Sequence, residues 1–215
     1  MGKKVEVKTS EKIDKIIEIL KGMYPEAKCS LDYNNPFQLL VATRLSAQCT
    51  DARVNMVTPA LFERYQAVED FAQADLSELE SYIRSCGLYK TKARDIKAMA
   101  QMVIEKYKGE IPDTVEELNK LPGVGRKTAN LIVGDVFGKP AVVTDTHCIR
   151  ISNRLGLCDT KDPLKVENRL RSILPPEESN DFCHRLVLFG RDVCSARSPR
   201  CDICPLAELC PSRQI

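Results

Sequence analysis

Lys127 closes the run Leu121-Pro122-Gly123-Val124-Gly125-Arg126-Lys127, and a carboxylate follows in Thr144-Asp145-Thr146-His147. An amine and a carboxylate together can supply a covalent nucleophile and a group to take its proton. Ahead of the amine, Gly123 and Gly125 can take backbone angles that a side chain would forbid, so the turn can press its amides against another molecule. Beyond Lys127 apolar residues recur at helical spacing, and the amides that open a helix suit an anion such as a phosphate oxygen. This combination points to chemistry on a nucleic-acid backbone. Each residue also has a plainer use: Lys127 as a point charge on phosphate, and Asp145 as N-cap of a helix from Thr146 to Leu155.

The nucleophilic use sets a demand on the surroundings. A lysine of ordinary pKa, about 10.4, is uncharged in roughly one copy in 2,500 at pH 7. Burial and the positive end of a helix both favour the neutral amine, whereas a nearby carboxylate opposes it. Asp145 is therefore expected to act once substrate is bound, taking the proton or stabilising positive charge on a sugar.

A second constellation lies in the tail. Cys194, Cys201, Cys204 and Cys210 are separated by six, two and five residues. Four thiolates so close in sequence can converge on one metal centre. Structural zinc favours two tight pairs, while a [4Fe–4S] cube tolerates uneven spacing. With one tight pair the spacing leans mildly to the cube and leaves both open. Between the first two ligands lie Arg197 and Arg200, which a metal-stiffened tail can present to phosphate. Cys29, Cys49, Cys86, Cys148, Cys158 and Cys183 sit among apolar neighbours and read as small buried hydrophobes.

The elements that must position these groups are helical. Ile13, Ile16, Ile17 and Leu20 fall at i, i+3, i+4, i+7. Asn35-Pro36 opens a helix with a cap and a first-turn proline, followed by Phe37, Leu40, Val41 and Leu45. Further helices are expected near Thr50, Asp75, Thr91, Asp113, Arg126, Asp145, Asp162 and Glu177. Gly87, Gly109, Gly138-Lys139-Pro140, Gly156 and Pro175-Pro176 mark breaks. No period-two run of convincing length occurs, so the class is all-α. The best boundary is Gly138-Lys139-Pro140, which predicts a site in a cleft between two lobes.

The 215 residues are 43% hydrophobic and 29% charged, with a formal net charge of +2. That describes an ordinary globular chain, without an apolar run able to span a membrane or a secretory signal at the charged start. A cytoplasmic or nuclear location is the default. The charge is uneven: six acids fall between Glu63 and Glu80, whereas Cys86–Lys97 and His184–Arg200 are basic. Basic segments beside a phosphate-type turn can make one nucleic-acid footprint.

Taken together, Leu45-Ser46-Ala47-Gln48-Cys49-Thr50-Asp51, Gly87-Leu88-Tyr89, the glycine turn with Lys127, Asp145-Thr146-His147 and the four-cysteine tail resemble the endonuclease III branch of the helix-hairpin-helix DNA glycosylases. The resemblance covers nearly the whole chain. It implies an all-α fold of two lobes, a six-helix barrel at 29–140 and a cluster lobe of 1–28 with 141–215, with DNA bound in the groove between them. It also implies a [4Fe–4S] cluster on Cys194, Cys201, Cys204 and Cys210. The implied activity is that of a monomeric bifunctional glycosylase and abasic-site lyase acting on oxidised pyrimidines in duplex DNA. Lys127 and Asp145 would be catalytic, with Gly123, Val124, Gly125, Arg126, Arg197 and Arg200 on DNA. Gln48 and Leu88 would fill the hole left by a flipped base, and Ser46, Asp51 and His147 would line the lesion pocket. Three positions depart from the family pattern: Thr144 replaces an apolar residue, Cys49 an alanine, and Gly134-Asp135 stand where asparagine is common. A glycosylase of another lesion preference, a non-catalytic DNA binder and a zinc protein are the competing readings.

Overall fold

The computed structural model describes residues 2–214, with side chains from residue 10 onward. Its regular elements are helices: α1 (Gly2–Met23), α2 (Pro36–Ser46), α3 (Asp51–Arg64), α4 (Val68–Gln73), α5 (Leu76–Ile83), α6 (Tyr89–Tyr107), α7 (Val115–Leu118), α8 (Arg126–Asp135), α9 (Thr146–Arg154), α10 (Pro163–Ile173) and α11 (Ser179–Asp192). No strand occurs among the described residues, in keeping with the helical periodicity. None of the helices is long and apolar enough to cross a membrane. The chain divides into two compact units, 29–137 and 1–28 with 138–215. Gly138-Lys139-Pro140 thus opens the second stretch of the discontinuous unit.

In the 29–137 unit α2 is the centre. Leu39, Leu40, Val41, Ala42 and Leu45 are wholly buried, and α2 packs on α3, α6 and α8. A helix apolar on every side has no stable place except inside. Phe37 extends this core into an aromatic group, its ring centroid 5.4 Å from Phe71, which lies 5.0 Å from Tyr65. In the discontinuous unit α11 packs on α9 and α1, burying Phe182, Leu186 and Phe189 against Ile13, Ile16 and Ile151.

Helix starts follow their caps. Asn35, Thr50, Asp75, Asp145 and Asp162 each accept a hydrogen bond from the amide three residues on, satisfying a donor that the helix cannot. Three further starts lie within two residues of the expected positions. α6 opens at Tyr89, two residues before Thr91, because Leu88 turns the chain in a left-handed conformation without a side-chain cap. Thr114, not Asp113, caps the short α7. Near Glu177 a 3₁₀ turn, Pro176–Glu178, precedes α11. α4 has no polar residue at its N-cap and escaped the pattern; Asp70 Oδ2 instead accepts from the amides of Gln66 and Ala67, both at 2.9 Å.

Glu178 ties α1 to α11, accepting from Lys21 Nζ at 2.7 Å and from the buried Arg185 Nη1 at 2.8 Å. Lys21 first, then Arg185, holds its carboxyl below the usual 4.5. A depressed carboxyl stabilises the fold above its unfolded pKa, and that contribution is lost as pH falls through the folded value. Glu178→Gln is expected to cost about 1 kcal/mol at pH 7. The difference in thermal midpoint between wild type and variant should close as pH is lowered below 4.5, and a difference independent of pH would contradict the linkage.

Candidate functional site

The glycine turn joins α7 to α8, forming a helix-hairpin-helix. Leu121 and Val124 are buried and anchor it, with Val124 N donating to Leu121 O at 3.1 Å. The two glycines do different work. Gly123 has φ +75°, and a Cβ there would lie 2.8 Å from both Cδ and Nε of Arg44 and 3.1 Å from Cβ of Asp95. Arg44 is itself fixed by Asp95 Oδ2, at 2.6 Å from Nη2 and 2.9 Å from Nε. The turn therefore rests on an ion pair that no sequence motif singles out. Gly125 does not use the conformational freedom that glycine offers. Its φ is −92°, which any residue adopts, and a Cβ would meet nothing within 4 Å. The missing side chain at 125 leaves open space in front of α8.

That space faces an uncapped helix start. The first intrahelical bond of α8 runs from Ala129 N to Gly125 O at 2.9 Å, and Gly125 offers no side-chain cap. The amides ahead of Ala129 thus have no intrahelical acceptor, where the helix dipole is positive. Arg126 and Lys127 are both exposed. Lys127 makes no hydrogen bond or ion pair among the described residues. In the free chain it is a solvated amine, not the buried one that the nucleophilic use demands.

Gln48 and Leu88 share an unusual backbone. Their φ values are +56° and +48°, a left-handed region that costs a residue with a side chain roughly 1–2 kcal/mol. Both are exposed, Leu88 to 57% of its surface. Exposing a leucine on a strained backbone has no packing rationale within the unit. Nearby, Ser46 Oγ donates to Thr43 O at 3.0 Å, and Asp51 Oδ2 accepts from Ser30 Oγ at 2.6 Å in the first turn of α3.

Asp145 caps α9 through Oδ1, which accepts from Cys148 N at 2.7 Å. Its other oxygen has no partner among the described residues. The residue is half-buried, and the buried segment 141–144, ending in Thr144, leads into it. Two residues further, His147 Nδ1 lies 3.2 Å from Arg150 Nη2, which also donates to Cys194 O at 2.9 Å. Gly190 of α11 makes this possible, since a Cβ there would collide with His147 and lie 2.8 Å from Arg150 Nη2.

The four tail cysteines line one cavity with the apolar Ile151, Leu155, Phe189 and Leu206. Burial first, and then the charges of Cys194, Cys201 and Cys210, raise the Cys204 thiol pKa. Among the described residues no three His, Cys, Asp or Glu close round a single point. Four cysteines lining one apolar cavity suit a thiolate-held metal centre. Arg154 braces this segment: Nη1 donates to Cys194 Sγ at 3.2 Å and Ser195 O at 2.7 Å, and Nη2 to Ala196 O at 2.8 Å. Its own carbonyl accepts from Cys210 Sγ at 3.3 Å. Arg197 and Arg200 lie on the loop between ligands, with Arg200 also donating to Asp192 O. Of the other cysteines, Cys86, Cys148, Cys158 and Cys183 are buried and Cys29 and Cys49 half-buried.

Comparison with known proteins agrees with this geometry. Residues 41–176 match the model of the HhH-GPD superfamily of base excision DNA repair proteins. Residues 194–210 match the iron–sulfur binding domain of endonuclease III. The chain is 49% identical over 205 residues to endonuclease III of Bacillus subtilis, covering 95% of this chain and 94% of that one. It belongs to the endonuclease III family. Endonuclease III of Synechocystis is 48% identical over the same shares. Among solved structures, a trapped endonuclease III–DNA covalent intermediate superimposes with TM-score 0.89 at 50% identity, covering 94% of this chain and 96% of that chain. The cofactor of this endonuclease III tail is a [4Fe–4S] cluster, so the zinc alternative falls away.

The contrast between the two turn glycines is directly measurable. Gly123→Ala should lower stability by about 1–3 kcal/mol through strain and overlap with Arg44. Gly125→Ala should leave the unfolding midpoint within about 0.5 kcal/mol of wild type. Equal losses in thermal or denaturant unfolding would refute the assignment of separate roles.

Proposed function

We propose that this endonuclease III family member is a bifunctional DNA glycosylase and abasic-site lyase of base excision repair, with Lys127 as nucleophile and Asp145 as its carboxylate partner. The observation that carries the assignment is the partnerless Lys127 amine in the first turn of an uncapped helix, just past a turn left open at Gly125. Phosphates on either side of a damaged nucleotide would occupy the amides of α8, neutralising the positive site and bringing the sugar to the amine. Desolvation of Lys127 then comes with the DNA itself.

The reaction uses these groups in turn. The nucleotide is flipped out of the duplex, and Lys127 Nζ attacks the sugar C1′. The C1′–N bond breaks, and the base leaves with the electron pair and picks up a proton. Opening of the sugar gives a Schiff base, whose β-elimination removes a C2′ proton and breaks the C–O bond 3′ to the abasic site. Asp145 has one oxygen committed to capping α9 and the other uncommitted, so it can accept the amine proton or balance positive charge on the sugar without moving. The similarity to a protein captured as a covalent intermediate with DNA supports a covalent route.

The remaining assignments belong to the same reading. Gln48 and Leu88 enter the stack vacated by the flipped nucleotide; Ser46, Asp51 and His147 contribute to the lesion pocket, with oxidised pyrimidines as the substrate class. Gly123, Val124, Gly125, Arg126, Arg197 and Arg200 meet the backbone. The [4Fe–4S] cluster supplies a rigid cross-link for the tail, and Arg154 and Arg150 brace its ligands. The protein acts as a monomer, on DNA in the cytoplasm or nucleoid.

Borohydride reduction during reaction with duplex DNA carrying one abasic site should give a covalent protein–DNA adduct. Lys127→Ala should abolish both adduct and strand cleavage while retaining binding, and an alanine variant that still traps and nicks would exclude Lys127. Asp145→Asn preserves the cap oxygen and is expected to slow cleavage about 10²–10⁴-fold with little loss of stability. Cys204→Ser should lower bound iron and visible absorbance, with weaker DNA binding as the tail loosens.

A further inference from the structure

Lys92 is a lysine with no exposed surface at all. Burying an ammonium is costly unless its donors are taken. Its Nζ donates to Leu45 O at 2.7 Å and to Cys86 O at 2.8 Å. Both acceptors are carbonyls at helix ends: Leu45 in the last turn of α2, and Cys86 at the end of the 3₁₀ helix Arg84–Cys86. Such carbonyls have no partner inside their own helix, and a cation there also meets the negative end of the helix dipole. One side chain therefore satisfies two helix termini that are far apart in sequence.

Both termini continue in the same way. After α2 come the C-cap Ala47 and then left-handed Gln48; after the 3₁₀ helix come the C-cap Gly87 and then left-handed Leu88. The main-chain amide of Lys92 also donates to Leu88 O at 3.0 Å. Lys92 is thus bonded to the segment before Gln48, to the segment before Leu88 and to Leu88 itself. Burial lowers its pKa, as a group sealed inside this junction should show.

We propose that Lys92 is a positioning residue that locks the Gln48 and Leu88 turns into a single two-pronged wedge, so that both enter duplex DNA in fixed register. The inference rests on the reading of Gln48 and Leu88 as the residues that fill the vacated stack. The wedge has a task only where there is a stack to hold open. Single-stranded DNA asks nothing of it, while the chemistry at Lys127 is the same on both.

The test compares strand cleavage at one abasic site in a duplex and in the same oligonucleotide as a single strand. Lys92→Met keeps the length of the side chain and removes both hydrogen bonds, and Lys92→Gln, retaining one donor group, serves if the first variant is too unstable. Duplex cleavage should fall at least about tenfold while single-strand cleavage stays within about twofold. Added to Gln48→Ala plus Leu88→Ala, the Lys92 change should cost nothing further on duplex, because the prongs it aligns are gone. Equal loss on both substrates would make Lys92 a mere stabiliser of the fold, and an unaltered duplex rate would remove it from the wedge; either overturns the proposal. If Gln48→Ala plus Leu88→Ala in an otherwise wild-type chain spares duplex cleavage, the wedge reading itself is wrong. A wild-type chain inactive on both substrates would instead overturn the proposed function.

Discussion

Backbone groups at helix ends cannot all be satisfied within their own helix, and this chain consists of short helices with many ends. Most ends are closed by ordinary means, such as Asn35, Thr50, Asp75 and Asp162 at N-termini. The positions proposed for chemistry also lie at helix ends. The start of α8 has no side-chain cap. The start of α9 is capped by a carboxylate with an oxygen to spare. The ends of α2 and the 3₁₀ helix share one buried ammonium. Placing function at helix termini lets a helical scaffold present backbone charge without burying a full counter-ion.

The tail obeys a different constraint. From Val193 onward the chain has one 3₁₀ turn and no longer helix, and Val193 and Leu206 are its only buried apolar side chains among the described residues. So little apolar surface cannot offset the entropy of ordering some twenty residues. Four thiolates on a shared cluster, as proposed, would supply that order and make metal binding and folding of the tail one event. The arginines complete it from the α9 side: Arg154 and Arg150 occupy Cys194 Sγ and the carbonyls of Cys194, Ser195 and Ala196. A thiolate ligand carries negative charge, so guanidinium donors strengthen as the cluster is held.

Much of this was legible in the sequence because it is local. Cap residues, the helical period, the glycine turn and cysteine spacing each act within a few residues, and the all-α class and most helix starts come from them. The exceptions share a cause. α6 begins at Tyr89 because Leu88 adopts a conformation that leucine does not announce. Gly125 looks like Gly123 in sequence, yet only Gly123 needs its φ, and that need comes from an Arg44–Asp95 pair on two other helices. Lys92 sits in a basic segment and reads as a surface cation, while its bonds reach 47 residues back to Leu45. Side chain to main chain bonds between distant segments carry no periodic or compositional mark. A buried lysine or a half-buried arginine is therefore invisible in a single sequence.

The pairing of amine and carboxylate in the proposed reaction also becomes less paradoxical. A carboxylate free to turn would settle onto a nearby ammonium and keep it charged. Asp145 is not free to turn, since Oδ1 is held by the Cys148 amide at 2.7 Å and the residue starts a helix whose packing on α11 depends on the absent side chain of Gly190. The cap thus fixes where the second oxygen points before any substrate arrives. The plainer use of Asp145 and the catalytic use proposed for it do not compete: the helix cap gives the carboxylate a single orientation, which is the preorganisation that electrostatic catalysis would require.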